Sequence, residues 1–370
     1  IYDIPISELL DQYLEQIALM READKQGVKV LALPELCLTG YTCGDLFLQD
    51  TLLRGAEEGL QTILEATRNL EIVTALGLPV WDKWDNKLYN CAAIIQKGEI
   101  LGLIPKVYLP NYGEFYEQRW FASGSGVEHG IELCGQHVSL CTNQTFACDT
   151  MPNLVIGVEI CEDLWAPAPP SVELARKGAT VILNLSASNE TIGKRAYRRG
   201  LVQHQSAALN CVYAYCSAGS TESTQDLIFS GQSLIGEDGR LLAETEEPIA
   251  SDYMLVCDCD LGRIRADRMK NKGFKDAAQQ NPGHPAVLID TRAPELRGDG
   301  TRYPLAKLPF VPAGKQNRVQ RCMEIFHMQV AGLKQRLAIL GSAKAVVGIS
   351  GGLDSTLALL VSVEATRRLG

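Results

Sequence analysis

The sequence predicts an α/β protein. An αββα sandwich is expected over residues 1–270, and a second α/β domain begins over residues 316–370. Three observations predict this. Strand–helix–strand units alternate with two hairpins, so the sheets are mixed, not purely parallel. Each hairpin turns on a glycine and the second echoes the first, which suggests two sheets, each covered by helices. Composition then shifts. Six of the sixteen prolines lie at 282, 285, 294, 304, 309 and 312, so residues 271–315 read as a Pro-rich linker with no packed element.

The elements follow in order. Residues 7–27 carry apolar side chains at 9, 10, 14, 17 and 20 and end on Gly27, which predicts a helix. VKVLAL (28–33) is a buried strand, and a helix near 50–69 leads to the strand IVTALGLPV. YNCAAIIQ and EILGLIPK form a hairpin turning at Lys97-Gly98. LVIGVEI (154–160) is a buried strand running into CEDLW. A helix at 171–177, the strand TVILNLSA, a helix at 194–209 and the strand CVYAYCSA come next. GQSLIGEDGRLLAET is a hairpin turning at Asp238-Gly239, and YMLVCDCDL is expected as a closing strand near 260. The tail reads as a helix (318–341), the strand AVVGIS and the helix STLALLVSVEATRRL. One strand and two helices do not cover both faces of a sheet, so the tail is expected to open a larger domain.

Composition excludes several classes. With 46% hydrophobic and 21% charged residues in 370, the chain has a full core and is not a disordered segment. No run reaches the ~18 apolar residues of a membrane helix. A net charge of −9 argues against nucleic-acid capture and against a polybasic membrane contact. Twelve cysteines include no CxxC pair, and Cys257 and Cys259 share a strand face, a poor start for zinc. Most read as small buried hydrophobes in a reducing, cytoplasmic setting.

The sharpest signal is AVVGISGGLDSTLALL. An apolar run enters Ser350-Gly351-Gly352-Leu353-Asp354-Ser355 and then a helix. Glycines at 348, 351 and 352 let backbone approach a phosphate, and N–H groups at a helix start attract the anion. Ser350 and Ser355 add hydroxyl donors, and Asp354 is placed to bind magnesium accompanying a nucleotide. Three further sites lie at strand ends: Glu35 in LPEL, Lys106 in IPKVYLP and Cys161 in GVEICEDLW. Taken alone, such a glutamate is more often solvated or capping, and such a lysine more often a snorkelling surface residue. Together they supply the base, cation and thiol that amide hydrolysis needs. Glu35 can take the thiol proton, and Lys106 can hold the oxyanion with the Glu162 backbone N–H. Glu159, Glu162 and Asp163 crowd the thiol. Glu159 is expected to alternate away on the strand, with Glu162 and Asp163 serving the ligand and the following segment. A Cys-His route would have only His204 to draw on and is disfavoured.

The SGGxDS string resembles the pyrophosphate loop of the N-type ATP pyrophosphatases. Glu35, Lys106 and Cys161 resemble the Glu-Lys-Cys triad of the nitrilase superfamily. PELCLTGYTCGDLF, PKVYLPNYGEFYEQRWF, GVEICEDLW and NLSASNE sharpen the likeness to its glutaminase branch, as found in the glutamine-dependent NAD synthetase family. The resemblance implies a nitrilase-type sandwich followed by the start of a Rossmann-like synthetase domain. It implies Glu114, from YGEFYE, as an additional catalytic-site glutamate. It implies Tyr112, Glu162, Ser188 and Lys194 as the grip on glutamine. It implies an ATP site at Gly348, Ser350, Gly351, Gly352, Asp354 and Ser355, with Asp354 on magnesium. The implied substrates are glutamine, ATP and nicotinic acid adenine dinucleotide, with ammonia passing between sites and a homo-oligomeric assembly. The resemblance also suggests that the N-terminus lacks a strand that usually opens the fold. The rival readings are a stand-alone amidase acting on another amide, a non-catalytic binding module, and another amidotransferase with a pyrophosphate loop.

Overall fold

Two helices with apolar stripes flank the first strand. In α1 (Ile6–Lys25), Tyr13, Ile17, Met20 and Ala23 are buried at helical spacing. β1 (Val30–Ala32) follows, and α2 (Asp50–Ala66) buries Leu52, Ala56, Leu60, Ile63 and Leu64. The computed structural model describes residues 6–219, 222, 227–245, 254–279, 286–291, 301–305, 307–311, 314–341 and 344–370.

The first sheet contains β1, β2 (Val73–Asp82), β3 (Lys87–Gln96), β4 (Glu99–Pro105), β5 (Glu128–Leu133) and β6 (Gln136–Cys141), in the order β1-β2-β3-β4-β6-β5. β1–β2 and β4–β6 are parallel, and the other pairs are antiparallel. The second sheet is built from β7 (Phe146–Cys148), β8 (Val155–Ile160), β9 (Val181–Ser186), β10 (Val212–Ser217), β11 (Leu234–Glu237), β12 (Arg240–Glu244) and β13 (Val287–Ile289). Its order is β12-β11-β10-β9-β8-β7-β13. α3 (Pro170–Arg176) and α4 (Lys194–Ala208) connect β8, β9 and β10, which run parallel. α5 (Leu261–Lys270) and α6 (Lys272–Gln279) come after β12.

Alternation along the strands makes the layers. Leu76, Leu78 and Val80 of β2 pack with α1 and α2, whereas Val73 and Ala75 face the other sheet. They meet Ile156, Val158 and Ile160 of β8 and Val181, Leu183 and Leu185 of β9. On the far side of the second sheet, Ile182 and Tyr213 pack with Leu174 of α3 and Val202 of α4. The order helix, sheet, sheet, helix is the αββα sandwich expected.

Three expectations change. Residues 254–260 form no strand. Their polar groups go elsewhere: Asp260 N–H donates to Glu237, and Asp258 accepts from Arg302 N–H and the Thr301 hydroxyl. The span 271–315 is not a bare linker, since it holds α6 and β13, and the first compact unit continues to Tyr303. Three apolar residues at 287–289 suffice for pairing because β7 offers a free edge and Ile289 is buried. The run 345–349 is not a strand. Among the described residues of the second unit, Pro304–Gly370, only α7 (Lys315–Ile339) and α8 (Leu353–Arg367) are regular elements, so the run has no ladder partner. These two helices pack through Val330, Val361 and Ala365.

Candidate active site

The C-terminal ends of the central strands deliver the site. The chain leaves β1 through Leu33-Pro34-Glu35, β4 into Lys106, β8 into Cys161, and β9 into Ala187-Ser188. Glu35, Lys106 and Cys161, expected from sequence to act together, are all buried here. Lys106 Nζ lies 2.6 Å from Glu35 Oε1 and 2.6 Å from Glu117 Oε1. Glu35 Oε1 also accepts from Asn90 Nδ2 at 2.7 Å, and its Oε2 accepts from the Ala187 N–H at 2.9 Å. Tyr41 OH donates to Glu117 Oε1 at 2.7 Å. Burial alone would lower the Lys106 pKa, but Glu117 and Glu35 outweigh it and hold the ammonium charged. Burial raises the Glu117 carboxyl, with Lys106 opposing.

Cys161 begins a short 3-10 turn, Cys161–Trp165, and has φ of 45°, in the left-handed region. For a non-glycine residue this is a strained conformation costing about 1–3 kcal/mol, and it turns the thiol out of the strand line. Burial pushes the thiol well above its ordinary pKa, and Glu35 and Glu117 add to this. Lys106 and the Ala187 N–H oppose them. Of the flanking acids, Glu159 turns away from the thiol as expected, whereas Asp163 bonds the chain before it and not the following segment. Glu159 faces the outer layer, accepting from Ser171 N–H at 2.7 Å and from Tyr213 OH. Asp163 accepts only backbone N–H groups.

Around the thiol, Tyr112 OH donates to Glu162 Oε1 at 2.9 Å. Lys194, in the first turn of α4, donates to Asn189 Oδ1 and lies 5.1 Å from the Trp165 ring centroid and 6.0 Å from that of Phe115. Burial lowers the Lys194 pKa, against the charges of Cys161, Glu114 and Glu162. Ser188 is buried, its hydroxyl accepting from the fully buried Arg198 at 3.3 Å. Glu114, expected as the supporting catalytic glutamate, instead accepts from Asn189 Nδ2. The carboxylate on Lys106 is Glu117, three residues on, because Glu117 starts a turn anchored by the buried Phe121. Asn90, Tyr41 and Glu117 are the residues that sequence reading missed. An amide inside the apolar strand YNCAAII and a second glutamate in YGEFYE were the available signals.

In the second unit, α8 starts after Gly352, and Gly351 has φ of 84°. The Ser350 and Ser355 hydroxyls are 3.2 Å apart, and Ser355 Oγ also donates to Gly352 O at 3.1 Å. Asp354 is exposed in the first helical turn, and Gly348 lies in the irregular run before it. Among the described residues no group of three His, Cys, Asp or Glu side chains is placed to hold a metal, and no helix is long and apolar enough to cross a membrane.

The chain is similar to known proteins. The carbon-nitrogen hydrolase family matches residues 4–269. The chain is 40% identical over 357 residues to the glutamine-dependent NAD(+) synthetase of Mycobacterium tuberculosis, covering 95% of this chain and 52% of that protein. It thus spans about half the length of the curated relatives it matches. The crystal structure of a glutamine-dependent NAD(+) synthetase from Cytophaga hutchinsonii superposes with a TM-score of 0.56 at 30% identity, over 64% of this chain and 38% of that one. The Acinetobacter baumannii glutamine-dependent NAD+ synthetase, solved with ADP, gives a TM-score of 0.55 at 22% identity, over 96% of this chain and 54% of that one. With the family matched over residues 4–269 and a thiol, a lysine and glutamates gathered at the strand ends, this chain belongs to the carbon-nitrogen hydrolase family.

Proposed function

We propose that this chain carries the glutaminase part of a glutamine-dependent NAD synthetase, together with the ATP loop that opens the synthetase part. One observation carries the reading: a Glu35–Lys106–Cys161 site and an SGGLDS turn at a helix start occur in one chain. A stand-alone amidase has no use for the second.

The geometry supports a thiol mechanism. Cys161 Sγ attacks the side-chain amide carbon of glutamine. Glu35 takes the thiol proton and passes it to the leaving nitrogen, which departs as ammonia. Water, activated by Glu35, then cleaves the thioester to glutamate and the free thiol. An ammonium has three N–H donors. Glu35 and Glu117 take two on Lys106, which leaves the third for the oxyanion, assisted by the Glu162 backbone N–H. Tyr112, Glu162, Ser188 and Lys194 hold the α-amino and α-carboxylate groups. Glu114 serves by fixing Asn189, and through it Lys194.

At the loop, the N–H groups from Ser350 to Gly352 and the hydroxyls of Ser350 and Ser355 receive ATP phosphates, with Gly348 keeping the approach open. The carboxylate of nicotinic acid adenine dinucleotide is adenylated, and ammonia displaces AMP to give NAD. Asp354 with the Ser355 hydroxyl offers hard oxygen donors at the phosphate position, which suits magnesium held by one carboxylate and substrate phosphates. Magnesium there would neutralise phosphate charge. All twelve cysteines are free, which fits a reducing cytoplasm.

The test is ammonia release across a panel of amides. Glutamine should be the preferred substrate, and Cys161→Ala should abolish release. Comparable rates on short aliphatic amides would favour the amidase alternative. Homo-oligomerisation would draw on exposed apolar side chains such as Val172, Ile192 and Tyr197. A light-scattering mass of one chain at micromolar concentration would argue against it.

A further inference from the structure

Asp163 sits two residues past Cys161 and is 1% exposed. Its Oδ2 accepts the Ile160 N–H at 2.9 Å. Its Oδ1 accepts the Val107 N–H at 3.2 Å and the Tyr108 N–H at 2.8 Å. The first bond is ordinary for a residue in the turn Cys161–Trp165. The other two are not needed to form that turn, because their partners lie 56 and 55 residues away in sequence. Ile160 ends β8 and directly precedes Cys161, whereas Val107 directly follows Lys106 and β4. β8 and β4 belong to different sheets. One buried carboxylate is therefore bonded to the chain beside the thiol and to the chain beside the ammonium, across the sandwich.

We propose that Asp163 is a positioning residue, holding the Cys161 thiol and the Lys106 ammonium in mutual register across the two sheets. This rests on the reading of Cys161 as nucleophile and Lys106 as oxyanion partner. Asp163 faces charge from Glu159 and Lys106, its side-chain oxygens accept backbone N–H groups, and it acts through the two chain segments it joins. Losing it lets β4 and β8 shift at their catalytic ends. A displacement near 1 Å at a reacting group can slow a reaction about 100-fold.

The experiment uses the full-length protein with Asp163→Asn, Asp163→Ala and Lys106→Met. Glutamine hydrolysis gives kcat and KM. Iodoacetamide alkylation of Cys161 at pH 8, read by peptide mass spectrometry, reports how strongly Lys106 favours the thiolate. Asp163→Ala should lower kcat about 100-fold with KM nearly unchanged. Asp163→Asn, which keeps one acceptor oxygen, should fall between it and the wild type. Alkylation should slow about tenfold in Asp163→Ala, as for a lysine moved out of reach, approaching the rate of Lys106→Met. If folded Asp163→Asn and Asp163→Ala keep both kcat and the wild-type alkylation rate while only melting earlier, Asp163 is a structural cap and the proposal is overturned. A wild-type protein that releases no ammonia from glutamine would sink the functional reading, while the alkylation rates would still decide the positioning role.

Discussion

At the scale of single residues, the site is a problem of placing charge beside a thiol that resists ionising. Cys161 is buried next to Glu35 and Glu117, and both effects hold its proton on. Lys106 and the Ala187 N–H pull the other way. The free thiol is therefore mostly protonated at neutral pH, and in the proposed mechanism its proton passes to Glu35 as the thiol attacks. Because the thiolate is the reactive form and the pKa is raised, alkylation of Cys161 by iodoacetamide should be slow at pH 7 and should rise about tenfold per pH unit up to pH 9. A plateau below pH 8 would mean a depressed pKa and would remove Glu35 as the needed base. Glu35, Lys106 and Cys161 were legible in the sequence because each follows an apolar strand, where a polar side chain stands out. Glu117 was not, because Glu114 and Glu117 sit in the same short aromatic segment. Only the turn at Glu117–Arg119 and the burial of Phe121 separate the one that faces Lys106 from the one that faces Asn189.

At the scale of elements, the strand ends are held in place by close backbone approach. The turn carrying Glu35 lies directly over β2. Leu38 N–H donates to Gly77 O at 3.2 Å, and a Cβ on Gly77 would fall 2.2 Å from Leu36 N and 2.6 Å from Pro34 O. Those atoms are backbone and have no side-chain freedom with which to yield. Gly77→Ala should cost about 1–3 kcal/mol of stability in urea unfolding and should also slow glutamine hydrolysis, because the turn it displaces holds Glu35. Unchanged stability and activity would show that the turn does not depend on that contact. Long elements such as α2, β2 and β3 were readable from period and length. β7 and β13 were not, because each has only three residues, and β13 forms only by pairing with β7, about 140 residues earlier in the sequence. The runs at 254–260 and 345–349 show the converse. β-branched and apolar residues favour a strand, but a strand forms only by pairing, and among the described residues neither run is paired.

At the scale of the whole molecule, the chain divides into a unit to Tyr303 that holds Cys161 and a unit from Pro304 that holds the SGGLDS turn. In the proposed function, nitrogen release falls to the first unit and carboxylate activation to the second. Glutamine is then needed only as a source of ammonia, and ATP only to activate the acceptor. The direct test is NAD formation by the full-length protein with glutamine or with an ammonium salt. Cys161→Ala should lose glutamine-dependent synthesis and keep ammonium-dependent synthesis, whereas Asp354→Ala should lose both and retain some glutamine hydrolysis. Loss of ammonium-dependent synthesis in a folded Cys161→Ala protein, or full ammonium-dependent synthesis in Asp354→Ala, would contradict the account.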